Sequence, residues 1–308
     1  YSRFGPKLFD YLRELTDVVA EFPDAIMVFE DYPDSLYSTE EQYLGFYGVN
    51  PEVSMPFNFE GLGAQFYADA FRTLDNEFQG MIDPDKHTPV YCFSNHDQHR
   101  IVTRYGGEEP ARLIALMQMT LPGLPVVYYG DELGMPNTEI SWDQVRDLSV
   151  FSSNDLSVGR DPERTPMQWH NGPGAGFTDA DPWLPIGATV ATHNVQTELH
   201  EPDSFLSLYR RLLRLRSQYE ILRHGTYKPS GELDVDIFMY ERWLEKQHIF
   251  IALNFGSKPR TVKLPHSGRV LCTTHPVDYP EVATDGSIDL RAYEGVLVEC
   301  CEHPIVGD

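Results

Sequence analysis

The 308-residue chain reads as an α/β protein, a parallel sheet with helices between its strands, trailed by an antiparallel β module. Three observations point there. As far as Gly130, short apolar runs alternate with amphipathic helical stretches at about the 30-residue period of βα units, which implies parallel strands. Beyond Gly225 the period becomes alternating, and turn signals GSKP (256–259) and PHSG (265–268) separate short strand-like runs, as in a β-sandwich. Three of the earlier runs end in acids, Glu30, Asp97 and Asp131.

Taken in order, Leu8, Leu12, Leu15, Val19 and Phe22 recur at helical spacing, with Pro6 suited to a first turn and Pro23-Asp24 as a stop. Residues 25–29 (AIMVF) read as a buried strand ending at Glu30. A polar, Tyr-rich loop is expected from Tyr32 to Tyr47, then a short strand from Val53 to Phe59. Phe66, Ala70, Leu74 and Phe78 mark a second helix closed by Gly80. Val90 to Phe93 is a strand buried on both faces that stops abruptly at Ser94-Asn95-His96-Asp97. A helix starting near Pro110 ends at Leu121-Pro122-Gly123, and residues 125–130 form one more buried strand. From Met135 to Glu201 the periodicity fails, and the Gly, Pro, Asp and Trp content is that of a substrate-facing loop region. Asp203 is placed to cap a helix carrying Phe205, Leu208, Leu212 and Leu215. The division into two units, 1–222 and 223–308, falls after that helix.

Composition excludes several classes. A formal charge of −23, from 47 acidic against 24 basic residues, argues against nucleic acid and anionic membranes as partners. No apolar run approaches the roughly 20 residues of a membrane span. The four cysteines, Cys92, Cys272, Cys300 and Cys301, form no C-x-x-C pair, so no metal or redox motif is expected. Reduced thiols and a cytoplasmic setting follow as the expectation.

Any one acid at a strand end has an ordinary explanation, since it caps the next helix. Three acids at one rim of a parallel sheet point to chemistry on a polar ligand, because strand C-termini are where such sheets bind. Glycosidic cleavage needs such a set: one carboxylic acid protonates the leaving oxygen, and a second carboxylate attacks the anomeric carbon or activates water.

At this point the sequence resembles a known family. SNHD (94–97), FED (29–31), LPGLPVVYYGDELGM (121–135) and GRDPERTPMQW (159–169), in this order, are similar to the α-amylase superfamily of retaining α-glycosidases. The last of these, with AGF (175–177), PWLP (182–185) and NVQ (194–196), resembles the α-glucosidase and oligo-1,6-glucosidase branch. The resemblance implies Glu30 as general acid/base, whose apolar strand fits the partial desolvation such a group needs. It implies Asp97 as stabiliser of the transition state and His96 as a hydrogen-bond partner of the sugar. Arg100 is placed to orient these acids, to line the next subsite, or to form an ordinary ion pair. Tyr32 and Phe57 stand as sugar-stacking or packing aromatics. Arg164 and Trp169 belong to a loop expected to shape the substrate mouth, and Asp131 to a structural role at the rim.

The family's G-x-R-x-D nucleophile strand is missing, as is its earlier D-x-x-x-N-H strand. The resemblance therefore implies the C-terminal half of a (β/α)8 TIM barrel, strands five to eight, followed by an antiparallel β-sandwich domain. The expected partners are a small α-glucoside and an N-terminal barrel half. Half a barrel exposes sheet edges, so the chain alone is expected to be inactive. No cofactor is expected, and calcium sites of this family often involve the missing part. The implied activity is that of an exo-acting α-glucosidase on short α-glucosides. The alternatives are a trehalose-forming or sucrose-acting transglycosidase on the same scaffold, or a non-catalytic relative that has lost the acids.

Overall fold

The computed structural model describes residues 5–30, 40–231, 234–275, 283–284 and 286–300. Helix α1 (Leu8–Val19) leads into strand β1 (Met27–Phe29), and α2 (Glu40–Gly48) into β2 (Ser54–Asn58). Helix α3 (Ala68–Met81) precedes β3 (Val90–Cys92); α4 (Ile101–Arg104) and α5 (Glu108–Thr120) precede β4 (Leu124–Val126). The four strands pair in parallel in the order β1-β2-β3-β4, so all their C-terminal ends lie along one edge. That is half of a (β/α)8 barrel wall.

Strand alternation sorts the two faces of this sheet. Tyr91 and Phe93 pack outward with Phe71 and Phe78 of α3 and with Leu113, Ile114 and Leu116 of α5. Cys92 packs on the other face with Phe59 and Leu62, and with the partly buried Phe57 and Val126. This second face is the one a closed barrel turns into its lumen. Burying each leucine of α5 contributes about 1.5–3 kcal/mol by removing its apolar surface from water.

The excursion after β4 holds two short helices, α6 (Leu148–Ser153) and α7 (Val195–Glu198), among 3-10 turns. Helix α8 (Phe205–Gln218) and the short α9 (Ile221–His224) then lead to the β domain. The cap of α8 is Ser204, whose side chain accepts from the Ser207 amide, and not Asp203. Strands β5 (Thr226–Ser230), β6 (Ile237–Leu244), β7 (Gln247–Asn254), β8 (Arg260–Lys263), β9 (Gly268–Thr273), β10 (Ala283–Thr284), β11 (Ser287–Leu290) and β12 (Gly295–Cys300) form two sheets. The larger has the order β10-β9-β12-β7-β6-β5, and β8 pairs with β11 in the smaller. Ile237, Phe250, Val296 and Val298 pack against Val262, Ile288 and Leu290 of the small sheet. On the opposite face Phe238, Tyr240, Ile251 and Leu297 join the cluster built on α5. The sandwich is therefore two-layered, and its large sheet is the second wall around α5.

Three expectations need correction. The expected loop up to Tyr47 contains α2, because Phe46, Tyr47 and Val49 bury in spite of weak amphipathic patterning. The last strand of the parallel sheet is only three residues long, and at the edge it is not fully buried. Strand β5 escapes the sequence pattern because Pro229 sits in it; as the edge strand of its sheet it tolerates a residue without an amide donor.

Candidate functional site

Glu30 follows β1 directly, and alternation places it on the face opposite Phe29, which packs with Phe46. Phe29 pairs with Pro56, so Glu30 continues the ladder beside Phe57 on the lumen face. Its side chain lies close enough to the buried Cys92 to act on it: burial pushes that thiol up to about 11, and the charges of Asp131 and Glu30 add to the push. Glu30 is exposed to solvent. The desolvation expected from residues 27–29 is therefore not supplied by the described residues.

The SNHD stretch leaves β3 in a tight turn fixed by its own side chains. The Asn95 Oδ1 accepts from the Asp97 amide at 2.9 Å, which turns the Asp97 carboxylate to the rim. The Ser94 Oγ donates to Asp131 Oδ1 at 3.0 Å, tying the end of β3 to the loop after β4. Two guanidiniums then converge on one oxygen: Arg160 Nη1 donates to Asp97 Oδ1 at 2.9 Å and Arg164 Nη2 to the same atom at 2.7 Å. Such charge-assisted bonds hold a carboxylate in place and leave its other oxygen for a ligand. The His96 Nε2 lies 3.6 Å from the same Oδ1, with about half of its side chain exposed. Arg164 Nε also donates to the His96 carbonyl at 2.7 Å.

A single 3-10 turn, residues 161–163, presents both arginines: Arg160 stands before it and Arg164 after it. Arg160 is itself anchored to Asp147, with Nε at 2.8 Å from Oδ2. That contact holds the Asp147 carboxyl well below the usual carboxylate range. Asp161 Oδ2 in turn accepts the amides of Arg146 at 2.6 Å and Asp147 at 2.9 Å. The GRDPER segment is thus a braced loop with its cations over Asp97. Arg160 was not singled out from the sequence. The signal available was its place four residues before Arg164 in a Pro-containing turn.

Arg100 stands just before α4, and its guanidinium is wholly buried, stacked over the rings of Tyr128 and Tyr129 at 5.1 and 4.9 Å. Its Nη1 donates to the Tyr129 carbonyl at 2.7 Å. The acid it acts on is Asp131: burial pushes that carboxyl up to about 7, against the pull of Arg100. Gly130 allows this packing, since at φ +88 a Cβ would meet Arg100 Nη1 at 2.7 Å. Phe57 stacks on Phe59 with centroids 5.1 Å apart and is partly buried. Trp169 is about half exposed on the braced loop. Tyr32 lies outside the described residues. No group of three metal-ligating side chains occurs among the described residues, and no helix among them is long and apolar enough to cross a membrane. Cys92 and Cys272 are free and buried, and Cys300 is buried.

Comparison with known proteins fits this geometry. The family description "Alpha amylase, catalytic domain" matches residues 1–225. Among curated proteins, the oligo-1,6-glucosidase of Parageobacillus thermoglucosidasius is 29% identical over 96% of this chain and 58% of its own length. An alpha-glucosidase of Apis mellifera is 30% identical over 86% of this chain and 46% of its own. Among solved structures, the trehalulose synthase MutB of Pseudomonas mesoacidophila aligns with a TM-score of 0.84 at 24% identity, over 96% of this chain and 59% of that one. That likeness bears on the fold alone. The chain spans less than two thirds of the length of these relatives.

Proposed function

Because this chain belongs to the family of alpha-amylase catalytic domains, we propose that it carries the general-acid half of a retaining, exo-acting α-glucosidase. In this reading Glu30 protonates the leaving oxygen of a short α-glucoside, and later takes the proton from the water that releases the sugar. A carboxylate outside the described residues attacks the anomeric carbon. Asp97 grips ring hydroxyls through its open oxygen as charge develops at the ring, and His96 adds a hydrogen bond from the same turn. Arg160 and Arg164 act through Asp97 by holding its position. Phe57 and Tyr32 offer apolar surface to the sugar ring.

The observation that carries the reading is the shared edge. Glu30 follows β1 and Asp97 lies in the turn that leaves β3, in one parallel sheet whose β1 and β3 stand two strand spacings, or roughly 10 Å, apart. Neither belongs to the β domain. Parallel strand ends are where barrel enzymes place their chemistry.

A second part of the proposal is the missing wall. Among the described residues, strands β1 and β4 each pair on one side only, and Ile26, Val28 and Leu124 are exposed. A preceding half-barrel, the partner proposed here along with the α-glucoside, would cover these edges and supply the nucleophile. The division at residue 222 and a reducing cellular compartment, in line with the free buried Cys92 and Cys272, belong to the same proposal.

The test is hydrolysis of p-nitrophenyl α-glucoside by the full gene product. Substituting Glu30→Gln is expected to lower kcat by about 10²–10⁴, the range of general acid catalysis. Undiminished turnover removes Glu30 from the role.

A further inference from the structure

At the pole of the parallel sheet opposite Glu30 and Asp97 lies a cavity of about 340 Å³. It opens between the turn entering β3, the turn entering β4 and the junction of α8 with α9. At about 30 Å³ per water it has room for on the order of ten waters. Its ionisable lining is Arg216, Arg223, His224 and His87, with a single carboxylate, Asp85. In a chain of net charge −23 that is an inverted balance.

The guanidiniums there are held by main-chain carbonyls. Arg216 is buried and gives Nη1 to the carbonyls of Met119 at 3.0 Å and Leu222 at 2.8 Å, and Nη2 to that of Gly123. Behind it Arg242, fully buried, donates to the carbonyls of Thr120, Leu222 and Gly225 at 2.6, 3.2 and 2.7 Å. Arg223 Nη1 reaches the carbonyls of Arg216 and Ser217 at 2.9 and 2.6 Å. Among the described residues no carboxylate forms an ion pair with any of the three. Burial pushes the guanidiniums of Arg216 and Arg242 down to about 10, and Arg223 adds to the push on Arg216. Asp75, the acid that acts on Arg242, is itself pushed up to about 6 by burial. The end of helix α5 offers only about half a negative charge against these cations. Desolvated charge without a counterion is expensive, and an anion in the adjoining cavity removes that cost.

We propose that this cavity is a binding site for a phosphate group, held by Arg223, His224 and the positive field of Arg216, at the pole away from the sugar site. His87 supplies a further donor: its Nδ1 accepts the Asp83 amide at 3.1 Å, which assigns the ring hydrogen to Nε2. A tetrahedral dianion matches a fork of guanidinium donors better than chloride does. The phosphate is either the free ion or the phosphoryl end of a small metabolite.

The experiment is thermal unfolding and calorimetric titration of the full gene product with inorganic phosphate, and separately with glycerol 2-phosphate, each against chloride at matched ionic strength. A saturable rise in Tm with phosphate is expected, and about tenfold weaker binding in Arg223→Gln. Because Arg223 also ties Ser217, the exposed His224→Gln serves as a second variant and is expected to weaken binding without shifting the ligand-free Tm. Binding of inorganic phosphate alone supports a free-ion site, and binding of both supports a phosphoryl site. No saturable response in the parent protein, or equal responses in the parent and both variants, overturns the proposal.

Discussion

Helices α1 and α5 hold equivalent places behind the parallel sheet, yet every residue of α5 from Pro110 to Thr120 is buried, while α1 buries Thr16 alone. Both have apolar residues enough. On α5 these meet two walls, strand β3 on one side and the large sheet of the β domain on the other. On α1, Leu8, Phe9 and Leu12 pack towards Phe29, whereas Tyr11, Leu15, Val18 and Phe22 form a helical stripe open to water. The carboxylates at the strand ends follow the same gradient: Asp131 is buried, Asp97 partly exposed, and Glu30 exposed. The difference teaches that sequence amphipathicity reports what a helix can bury, and neighbours decide what it does bury.

The strongest way to break the comparison is to separate the chain from its proposed half. The 308 residues alone are expected to show no α-glucosidase activity and to self-associate, because the α1 stripe and the edges of β1 and β4 stay open. Size-exclusion chromatography beside an activity assay checks both, and an active soluble monomer contradicts the gradient. A finer test is a pair of alanine substitutions in the full gene product. Leu116→Ala on α5 is expected to lose about 2–5 kcal/mol in urea unfolding. Leu15→Ala is expected to lose about 2 kcal/mol if a neighbour covers the stripe, and a change within about 0.5 kcal/mol leaves the stripe solvated.

The smallest effect concerns pH on the covered side. The carboxyl of Asp131, raised by burial to about 7, favours the folded state most when protonated. Its contribution is fully present below the ordinary carboxylate range and is lost as pH rises through about 7. Relative to Asp131→Asn, the parent should lose about 1 kcal/mol of stability per pH unit across that window. Parallel stability curves for the two proteins place Asp131 in a less buried setting than the one described.

Much of this was legible beforehand. The strands read from short apolar runs because a parallel sheet buries both faces, and Ser94 to Asp97 read as a rim because four polar residues ended one such run. Helix α2 was not legible, since its buried rings come from Tyr43, Phe46 and Tyr47 in a polar frame whose fit depends on α3 and β2. Arg100 looked like a site residue by its distance from Asp97 along the chain. The turn before α4 buries it among Tyr128 and Tyr129, which no local pattern encodes. Arg160 was hidden for the opposite reason: its partners Asp97 and Asp147 are far away in sequence, and only folding the excursion over the rim brings them together.

Arg242 belongs to β6, yet it donates to the carbonyls of Thr120, the last residue of α5, of Leu222 in α9 and of Gly225 just after α9. Deleting or exchanging the trailing sheet would take this donor from the carbonyls of Thr120 and Gly225, while that of Leu222 keeps its bond from Arg216. A chimaera that imports a foreign C-terminal sheet is therefore expected to need a guanidinium at that one position to keep the ends of α5 and α9 bonded.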